Sequence, residues 1–307
     1  MDNICHTLVG AAFGEAGLRH RSRLGNATLM IAANLPDIDV AVFATGTPSV
    51  AFRRGLTHGI LAQAVLPPVL ALIMWAIARR SSRKSESQPH LGWLMTLSYI
   101  GVFSHVGLDV LNNYGVRLLM PFSGRWFYGD TLFIVDPWMW AVLGIGVWLA
   151  RRSGTPRAAR RSLALATIYV LLMLVGARAA RQVVTAAWVS ASGAAPESLM
   201  VGPRPVLPFT RDIIVDAGDH YVTGTFSWFP VSVRFDAQTV LKNQQEPAVN
   251  DALRDPGVQA FLVWSRFPTW TLVRQLDGTH VSVADMRFAA AQRIFGRAGF
   301  QAEATIR

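Results

Sequence analysis

The sequence contains little charge and almost no cysteine. Only 16% of its 307 residues are charged, 51% are hydrophobic, and the mean hydropathy is +0.31. Such a composition is too apolar for an ordinary soluble domain of this length. Cys5 is the one cysteine, which excludes a disulfide within the chain and a zinc site built from several thiolates. We therefore expect an integral membrane protein.

Acidic residues are also scarce. The chain has 19 Asp and Glu and 29 Lys and Arg, which gives a formal net charge of +10. A basic protein can bind nucleic acid, but here the basic residues cluster in short connections beside apolar segments. No nucleic-acid-binding motif accompanies them. We therefore expect no nucleic-acid partner. The first eighteen residues carry Asp2, His6 and Glu15 and lack a basic start, which argues against a secretory signal peptide.

Two uncharged runs are long enough to cross a bilayer. Residues 59–78 and 91–108 contain twenty and eighteen residues without Asp, Glu, Lys or Arg, and a membrane helix needs about 20 apolar residues. Shorter apolar stretches raise the predicted number of membrane segments to about five or six. The two segments nearest the N-terminus, 4–18 and 24–39, can be half-buried or re-entrant. The predicted segments are 4–18, 24–39, 59–78, 91–111, 136–150 and 162–178.

The distribution of Lys and Arg predicts how these segments are oriented. The connections 19–23, 79–90 and 151–161 together contain twelve basic residues, whereas the alternate connections 40–58 and 112–135 contain four. Cytoplasmic loops are the ones enriched in Lys and Arg. The sequence therefore predicts a multi-pass membrane protein whose N-terminus and C-terminal region are extracytoplasmic.

The composition changes near residue 195, where prolines and charged residues become frequent. Short runs of β-branched and aromatic residues follow, and Asp277-Gly278 is a typical hairpin signal. The predicted strands are 212–216, 221–226, 231–235, 260–266, 270–276 and 281–287. We therefore expect an α-helical integral membrane bundle at 1–190, followed by a small, mostly antiparallel β domain at 195–307.

Histidines and aspartates stand at the ends of the apolar segments, and the predicted orientation places them at the outer face. His105 and Asp109 are four residues apart on a predicted helix, so their side chains share a face. Ionisable residues in a membrane segment are costly and typical of functional sites. Mixed imidazole and carboxylate ligands suit zinc or another divalent ion. The predicted metal ligands are His6, Asp37, Asp39, His58, His105 and Asp109.

Two further aspartates, Asp130 and Asp136, are candidates for a general base or for completing the ligand set. Simpler roles compete with some of these assignments. Asp136 precedes a proline and is more readily explained as a helix N-cap. Asp37 and Asp39 can equally be turn or capping residues. His58 taken alone is more readily explained as a helix-start residue hydrogen-bonded to backbone.

Six stretches combine these histidines and aspartates with glycine, proline and aromatic residues. They are 1–12 (MDNICHTLVGAA), 33–39 (ANLPDID), 53–59 (RRGLTHG), 104–109 (SHVGLD), 113–117 (NYGVR) and 126–138 (WFYGDTLFIVDPW). As a set they resemble the YdjM-type family of bacterial inner-membrane proteins, described as membrane-bound metal-dependent hydrolases. The resemblance covers about residues 1 to 180.

The resemblance implies a metal-dependent hydrolase of the bacterial inner membrane, with a divalent metal, zinc in the first place, as cofactor. The histidine and Pro-Asp pattern is also similar to that of zinc-dependent phospholipase C and related nucleases, which implies phosphoester hydrolysis. We therefore predict an enzyme that acts at the outer face on a membrane lipid or lipid-linked phosphoester. Two alternatives remain: a transporter or ion-binding membrane protein using the same residues, and a non-catalytic anchor that presents the β domain.

Overall fold

The computed structural model describes residues 1–45, 49–81, 88–275, 278–289 and 300–306. The chain divides into two units, Met1–Val40 with Arg54–Val175, and Ala41–Arg53 with Gly176–Arg307. The α-helices are α1 (Asn3–Glu15), α2 (Gly25–Ala32), α3 (Ser49–Phe52), α4 (Ile60–Arg80), α5 (Leu91–Val110), α6 (Pro137–Ser153), α7 (Arg157–Ser192), α8 (Pro247–Ala252) and α9 (Pro256–Trp264). Shorter 3-10 helices are Leu18–Arg21, Leu35–Thr45 and Met286–Phe288.

Within the described chain, α4, α5 and α7 are long and apolar enough to cross a membrane. The bounds of α4 and α5 agree with the predicted segments 59–78 and 91–111, whereas α7 has 36 residues and extends beyond the predicted segment 162–178 at both ends. The helices α1, α2 and α6 are shorter, with 13, 8 and 17 residues, so the predicted count of five or six spans is not confirmed. The predicted segment 24–39 divides between α2 and the 3-10 helix Leu35–Thr45, because Pro36 cannot continue the α-helical hydrogen bonds.

Two glycines allow the helices of the first unit to approach closely. A Cβ on Gly10 of α1 would lie 2.8 Å from the Leu29 carbonyl oxygen of α2. A Cβ on Gly101 of α5 would lie 2.4 Å from the Ala32 Cβ. Both crossings therefore require glycine. Both bring the end of α2 toward a histidine about one turn away: His6, which precedes Gly10 on α1, and His105, which follows Gly101 on α5.

The second unit contains a separate antiparallel β region. Its first sheet has the order β1 (Ser198–Pro203), β2 (Thr210–Asp216), β3 (His220–Trp228) and β4 (Val231–Leu241). Its second sheet has the order β5 (Pro268–Gln275), β6 (Gly278–Asp285) and β7 (Gln301–Ile306). Alternating residues of β1 to β3 form a core with Ala180 and Val184 of α7, and residues on the opposite face of the sheet, Met200, Ile214 and Tyr221, pack with Phe267. Five of the predicted strands are confirmed.

The predicted strand 260–266 is wrong, because this stretch lies mostly in α9. Asp255 caps that helix by accepting hydrogen bonds from the backbone N–H groups of Gly257 and Val258, and Pro256 occupies the first turn. Strands β1 and β7 were not predicted. In the predicted hairpin, β5 and β6 do pair antiparallel, with Gln275 opposite Gly278, whereas Asp277 lies outside the described residues.

A buried ion pair stabilises the second sheet where β6 ends. Arg287 Nε donates to Asp285 Oδ1 at 2.8 Å, and both side chains are inaccessible to solvent. The Ser265 hydroxyl and the Arg266 backbone N–H donate to Asp285 Oδ2 at 2.8 and 2.6 Å. Burial alone would raise the pKa of Asp285, but Arg287 and these hydrogen bonds bring that pKa below its ordinary value. The carboxylate is therefore an organising element of the β region.

We expect Asp285→Ala to lower the opening free energy of β5 and β6 by about 3–5 kcal/mol at pH 7, because it leaves a buried guanidinium unpaired. The wild-type contribution should be complete above the unfolded pKa of about 4 and should be lost as the pH falls through the lower folded-state value. Hydrogen exchange of the β5 and β6 amides measures both effects. Arg204→Ala is the control, since its pair with Asp212 is 38% exposed on both sides and should contribute less than about 1 kcal/mol. Equal losses in the two variants would contradict the prediction.

Candidate metal centre

The helix α5 presents two polar side chains on one buried face. His105 and Asp109 are one turn apart, and neither is accessible to solvent. His105 Nδ1 lies 2.7 Å from the carbonyl oxygen of Ala33. Because a carbonyl can only accept, Nδ1 carries the proton and donates it, which leaves the lone pair of the neutral ring on Nε2. The close approach of α5 at Gly101 thus fixes the orientation of His105.

His58 is oriented in the same sense by different partners. Its Nδ1 lies 3.1 Å from Thr57 Oγ1 and 3.7 Å from Asp39 Oδ2. The same Asp39 oxygen accepts hydrogen bonds from the Arg54 backbone N–H at 2.6 Å and from the Thr57 hydroxyl at 3.2 Å. With acceptors around Nδ1, the lone pair of His58 also lies on Nε2.

The two Nε2 atoms point toward each other and toward two carboxylates. They are 3.1 Å apart, and Asp109 Oδ2 lies 3.4 Å from each of them. Asp37 Oδ1 lies 3.8 Å from His58 Nε2 and 3.9 Å from His105 Nε2. One ligand atom from each of these residues lies within 4.8 Å of all the others, and all are buried. We call Asp37, His58, His105 and Asp109 the four-residue cluster.

The donor atoms of this cluster fit a divalent metal ion. Four electron-pair donors converge here, and neither imidazole carries a proton on Nε2 that it could donate to the other. This arrangement is repulsive unless a cation binds between the donors. Asp109 Oδ2 has no hydrogen-bond partner among the residues that the structure describes. Two imidazoles and two carboxylates form a set that zinc accepts readily. The residues present could therefore hold a metal, as the sequence predicted.

His6 lies beside the four-residue cluster. Its ring stacks on that of His105 with the centroids 3.8 Å apart and the planes at 22°. Its Nε2 is 3.5 Å from Asp109 Oδ1, and within the described chain neither ring nitrogen has a hydrogen-bond partner. The structure thus brings the predicted ligand His6 to the site, but as a neighbour of the converging group.

Asp39 lies behind His58. Its Oδ2 is 3.7 Å from His58 Nδ1, the ring nitrogen that points away from the cluster. Asp39 was a predicted ligand, but it is not one of the four converging residues. A carboxylate in this position orients a metal-binding histidine and increases its basicity.

Asp130 and Asp136 are not part of the four-residue cluster. Asp136 caps α6, because its Oδ1 accepts from the backbone N–H groups of Trp138 and Met139 at 3.0 and 3.1 Å. Its Oδ2 accepts from the Tyr169 hydroxyl at 2.9 Å. Asp130 is buried in the loop before α6 with a φ of 47°, a left-handed conformation that aspartate tolerates better than most residues. The contacts of Asp136 therefore favour the role of helix N-cap over that of general base or metal ligand.

The sequence did not identify the residues that hold Asp109. Arg54 Nη2 lies 3.2 Å from Asp109 Oδ1, and Asn112 Nδ2 donates to the same oxygen at 3.1 Å. Arg54 Nη1 also donates to Asn112 Oδ1 at 3.1 Å, and the Met1 amino group contacts Asp109 Oδ1. These contacts occupy one carboxylate oxygen and turn the other toward the histidines. The sequence signal for these residues was limited to the positions of Met1 and Arg54 inside the stretches 1–12 and 53–59.

The helices and the cluster define an integral membrane protein with a buried histidine and carboxylate site. The family model described as YdjM inner membrane protein matches residues 1–183. The chain therefore belongs to the YdjM family of inner membrane proteins. It is also 23% identical over 304 residues to the uncharacterized protein YfhP of Bacillus subtilis strain 168, covering 94% of this chain and 87% of YfhP. Comparison with solved structures gave no significant match.

We expect the purified protein to bind zinc, and His58→Ala or His105→Ala to abolish binding, because each removes one of four converging donors. Asp39→Asn should weaken zinc binding by about 10- to 100-fold through the orientation of His58. Elemental analysis and competition with a zinc chelator measure these effects. His20→Ala is the control, because His20 is exposed on a 3-10 helix of the same unit. Zinc binding by both histidine variants at the wild-type affinity would exclude this site.

Proposed function

We propose that this protein is a membrane-bound metal-dependent hydrolase that acts on a lipid or lipid-linked phosphoester. The observation that carries the proposal is the convergence of His58 Nε2, His105 Nε2 and Asp109 Oδ2 within 3.1–3.4 Å of one another. The four-residue cluster would hold the metal, zinc in the first place. When bound, such an ion lowers the pKa of its water and polarises a phosphoryl oxygen.

Cationic side chains near the cluster favour an anionic substrate. Arg117 is 7% exposed, and its backbone N–H donates to the Arg54 carbonyl at 2.9 Å. Its guanidinium stacks over Trp126 at 4.9 Å, and that of Arg54 stacks over Tyr114 at 4.6 Å. Stacked arginines keep a fixed plane of donors, which matches the geometry of a phosphate. We infer that Arg117 orients the head group, while Arg54 holds Asp109 toward the histidines.

The transporter alternative is less well supported by the position of the cluster. Asp109 is the penultimate residue of α5, and His105 stands one turn earlier in a helix of 20 residues. Transport sites usually lie near the middle of the membrane between broken helices. A site at the end of a span suits a substrate whose polar head lies at the interface and whose tail stays in the bilayer.

The test is release of phosphate or head group from phospholipids and polyprenyl phosphates in vesicles. Chelation should abolish turnover and zinc should restore it. Asp109→Asn should reduce turnover by at least about 100-fold, since stabilisation by a bound ion is worth several kcal/mol. Asp251→Asn is the matched control, because this carboxylate is 50% exposed on α8. Turnover that is indifferent to chelation, or full activity in Asp109→Asn, would refute the metal-dependent mechanism.

We also infer that the four-residue cluster and the C-terminal region face away from the cytoplasm. The bias of Lys and Arg supports this orientation, although Arg83 and Lys84 of the connection 79–90 lie outside the described residues.

Labelling of single introduced cysteines checks the orientation. In intact cells a membrane-impermeant thiol reagent should label Gln245→Cys and should not label Thr155→Cys, both of which are exposed positions. Cys5 is buried and should add little background. The unaltered chain is the control, and the reverse pattern would place the site on the cytoplasmic side.

A further inference from the structure

An apolar groove of about 450 Å³ lies beside the four-residue cluster, within the first unit. Residues of α1, α2 and the 3-10 helix Leu35–Thr45 line it, among them Met30, Ile31, Leu35, Asp37 and Ile38. Sites for small molecules commonly have volumes of about 300–1,000 Å³. The groove is therefore large enough to hold part of a ligand, and one of its lining residues belongs to the cluster.

The isoleucines around this groove are exposed. Ile31 is 44% exposed and Ile38 is 57% exposed. Ile4, one helical turn before the groove-lining Thr7 on α1, is 56% exposed. The helix α2 packs against α4 and α5, two of the helices that can cross a membrane. In an inner membrane protein, exposed isoleucines beside such helices contact lipid chains better than water.

The polar residues of the groove lie together. Asn34 Nδ2 donates to Thr7 Oγ1 and to the Met30 carbonyl, both at 2.9 Å, which joins α1 to α2. Asp37 follows three residues later, and its Oδ1 is 3.8 Å from His58 Nε2. The groove is thus apolar along α2 and polar where it meets the cluster, a distribution that matches an amphiphilic ligand.

We propose that this groove holds the hydrocarbon chain of a membrane lipid whose phosphate head lies at the Asp37 end of the groove, at the metal ion that the four-residue cluster would hold. The substrate then reaches the cluster sideways from the bilayer, between α1 and the 3-10 helix, without leaving the membrane. This inference rests on the proposed function for the identity of the head group. Lipid chemistry fits the groove better than a water-soluble phosphoester, because a soluble substrate gains nothing from exposed isoleucines at the entrance.

Photo-crosslinking of the zinc-loaded full chain tests the groove directly. The probe is phosphatidic acid with a diazirine in one acyl chain, at low mole fraction in phosphatidylcholine nanodiscs. We expect labelling of residues 30–38 that falls severalfold with excess unlabelled phosphatidic acid. Labelling of Val69 to Ile73 on α4, whose side chains at both ends are about half exposed, should not be competed, because it reports bulk lipid.

Two variants fill the groove, Ile31→Trp and Ile38→Trp, and both should reduce the competed labelling. Ile73→Trp on α4 is the matched control and should leave it unchanged. Labelling of residues 30–38 that is no stronger than on α4, or that is not competed, would overturn the proposal.

A second readout separates the groove from the hydrolase proposal. Ile31→Trp should reduce turnover of phosphatidic acid about tenfold more than turnover of glycerol phosphate, in the range expected for a disturbed apolar pocket. Competed labelling without turnover of any phosphoester would uphold the groove and count against hydrolysis. Turnover of phosphatidic acid with uncompeted labelling would uphold hydrolysis and reject the groove.

Discussion

The first unit depends on one interaction that is unfavourable by itself, the burial of facing imidazole lone pairs and carboxylates among apolar helices. Charged groups removed from water are costly unless they are paired. Arg54 and the Met1 amino group contact one oxygen of Asp109, while its other oxygen faces the Nε2 atoms of His58 and His105. Converging electron pairs of this kind are what a divalent cation binds. The helix crossings at Gly10 and Gly101 hold the polar groups together against their mutual repulsion.

The surroundings of the cluster explain why an apolar bundle tolerates it. Each histidine uses one nitrogen for an acceptor in the protein and turns the other inward, and Asp109 divides its two oxygens in the same way. Outer partners of this kind fix the ligand orientation before a metal arrives. The site is therefore arranged by ordinary hydrogen bonds, and the cation need not organise it.

The sequence predicted the parts of the site that depend on local spacing. His105 and Asp109 share a helix face at four residues apart, and the motifs carrying Asp37 and His58 were recognisable by composition. The role of Arg54 could not be predicted, because its contact with Asp109 joins positions 55 residues apart in sequence and Arg54 equally served as a topology signal. Long-range pairing of this type has no signature in one sequence.

The fold shows the same limit. The runs of β-branched and aromatic residues in β2, β3 and β4 were sufficient to predict those strands. The run at 260–264 is apolar enough for a strand or a buried helix, and periodicity cannot separate the two in so few residues; the Asp255-Pro256 start signal decides for α9. Strand β1 was not predicted, because prolines are frequent in this part of the sequence. Pro203 is nevertheless compatible with the strand, since it is the last residue of β1 and β1 lies at the edge of the sheet, where a missing N–H is tolerated.

The two histidines of the cluster are held by different kinds of partner. His105 donates to a main-chain carbonyl, which no substitution of Ala33 removes as long as the backbone keeps its course. His58 relies on the side chains of Asp39 and Thr57, which single mutations can weaken, extend or replace. Single substitutions at residues 39 and 57 can therefore change the orientation of His58, whereas the orientation of His105 depends on the course of the backbone at Ala33.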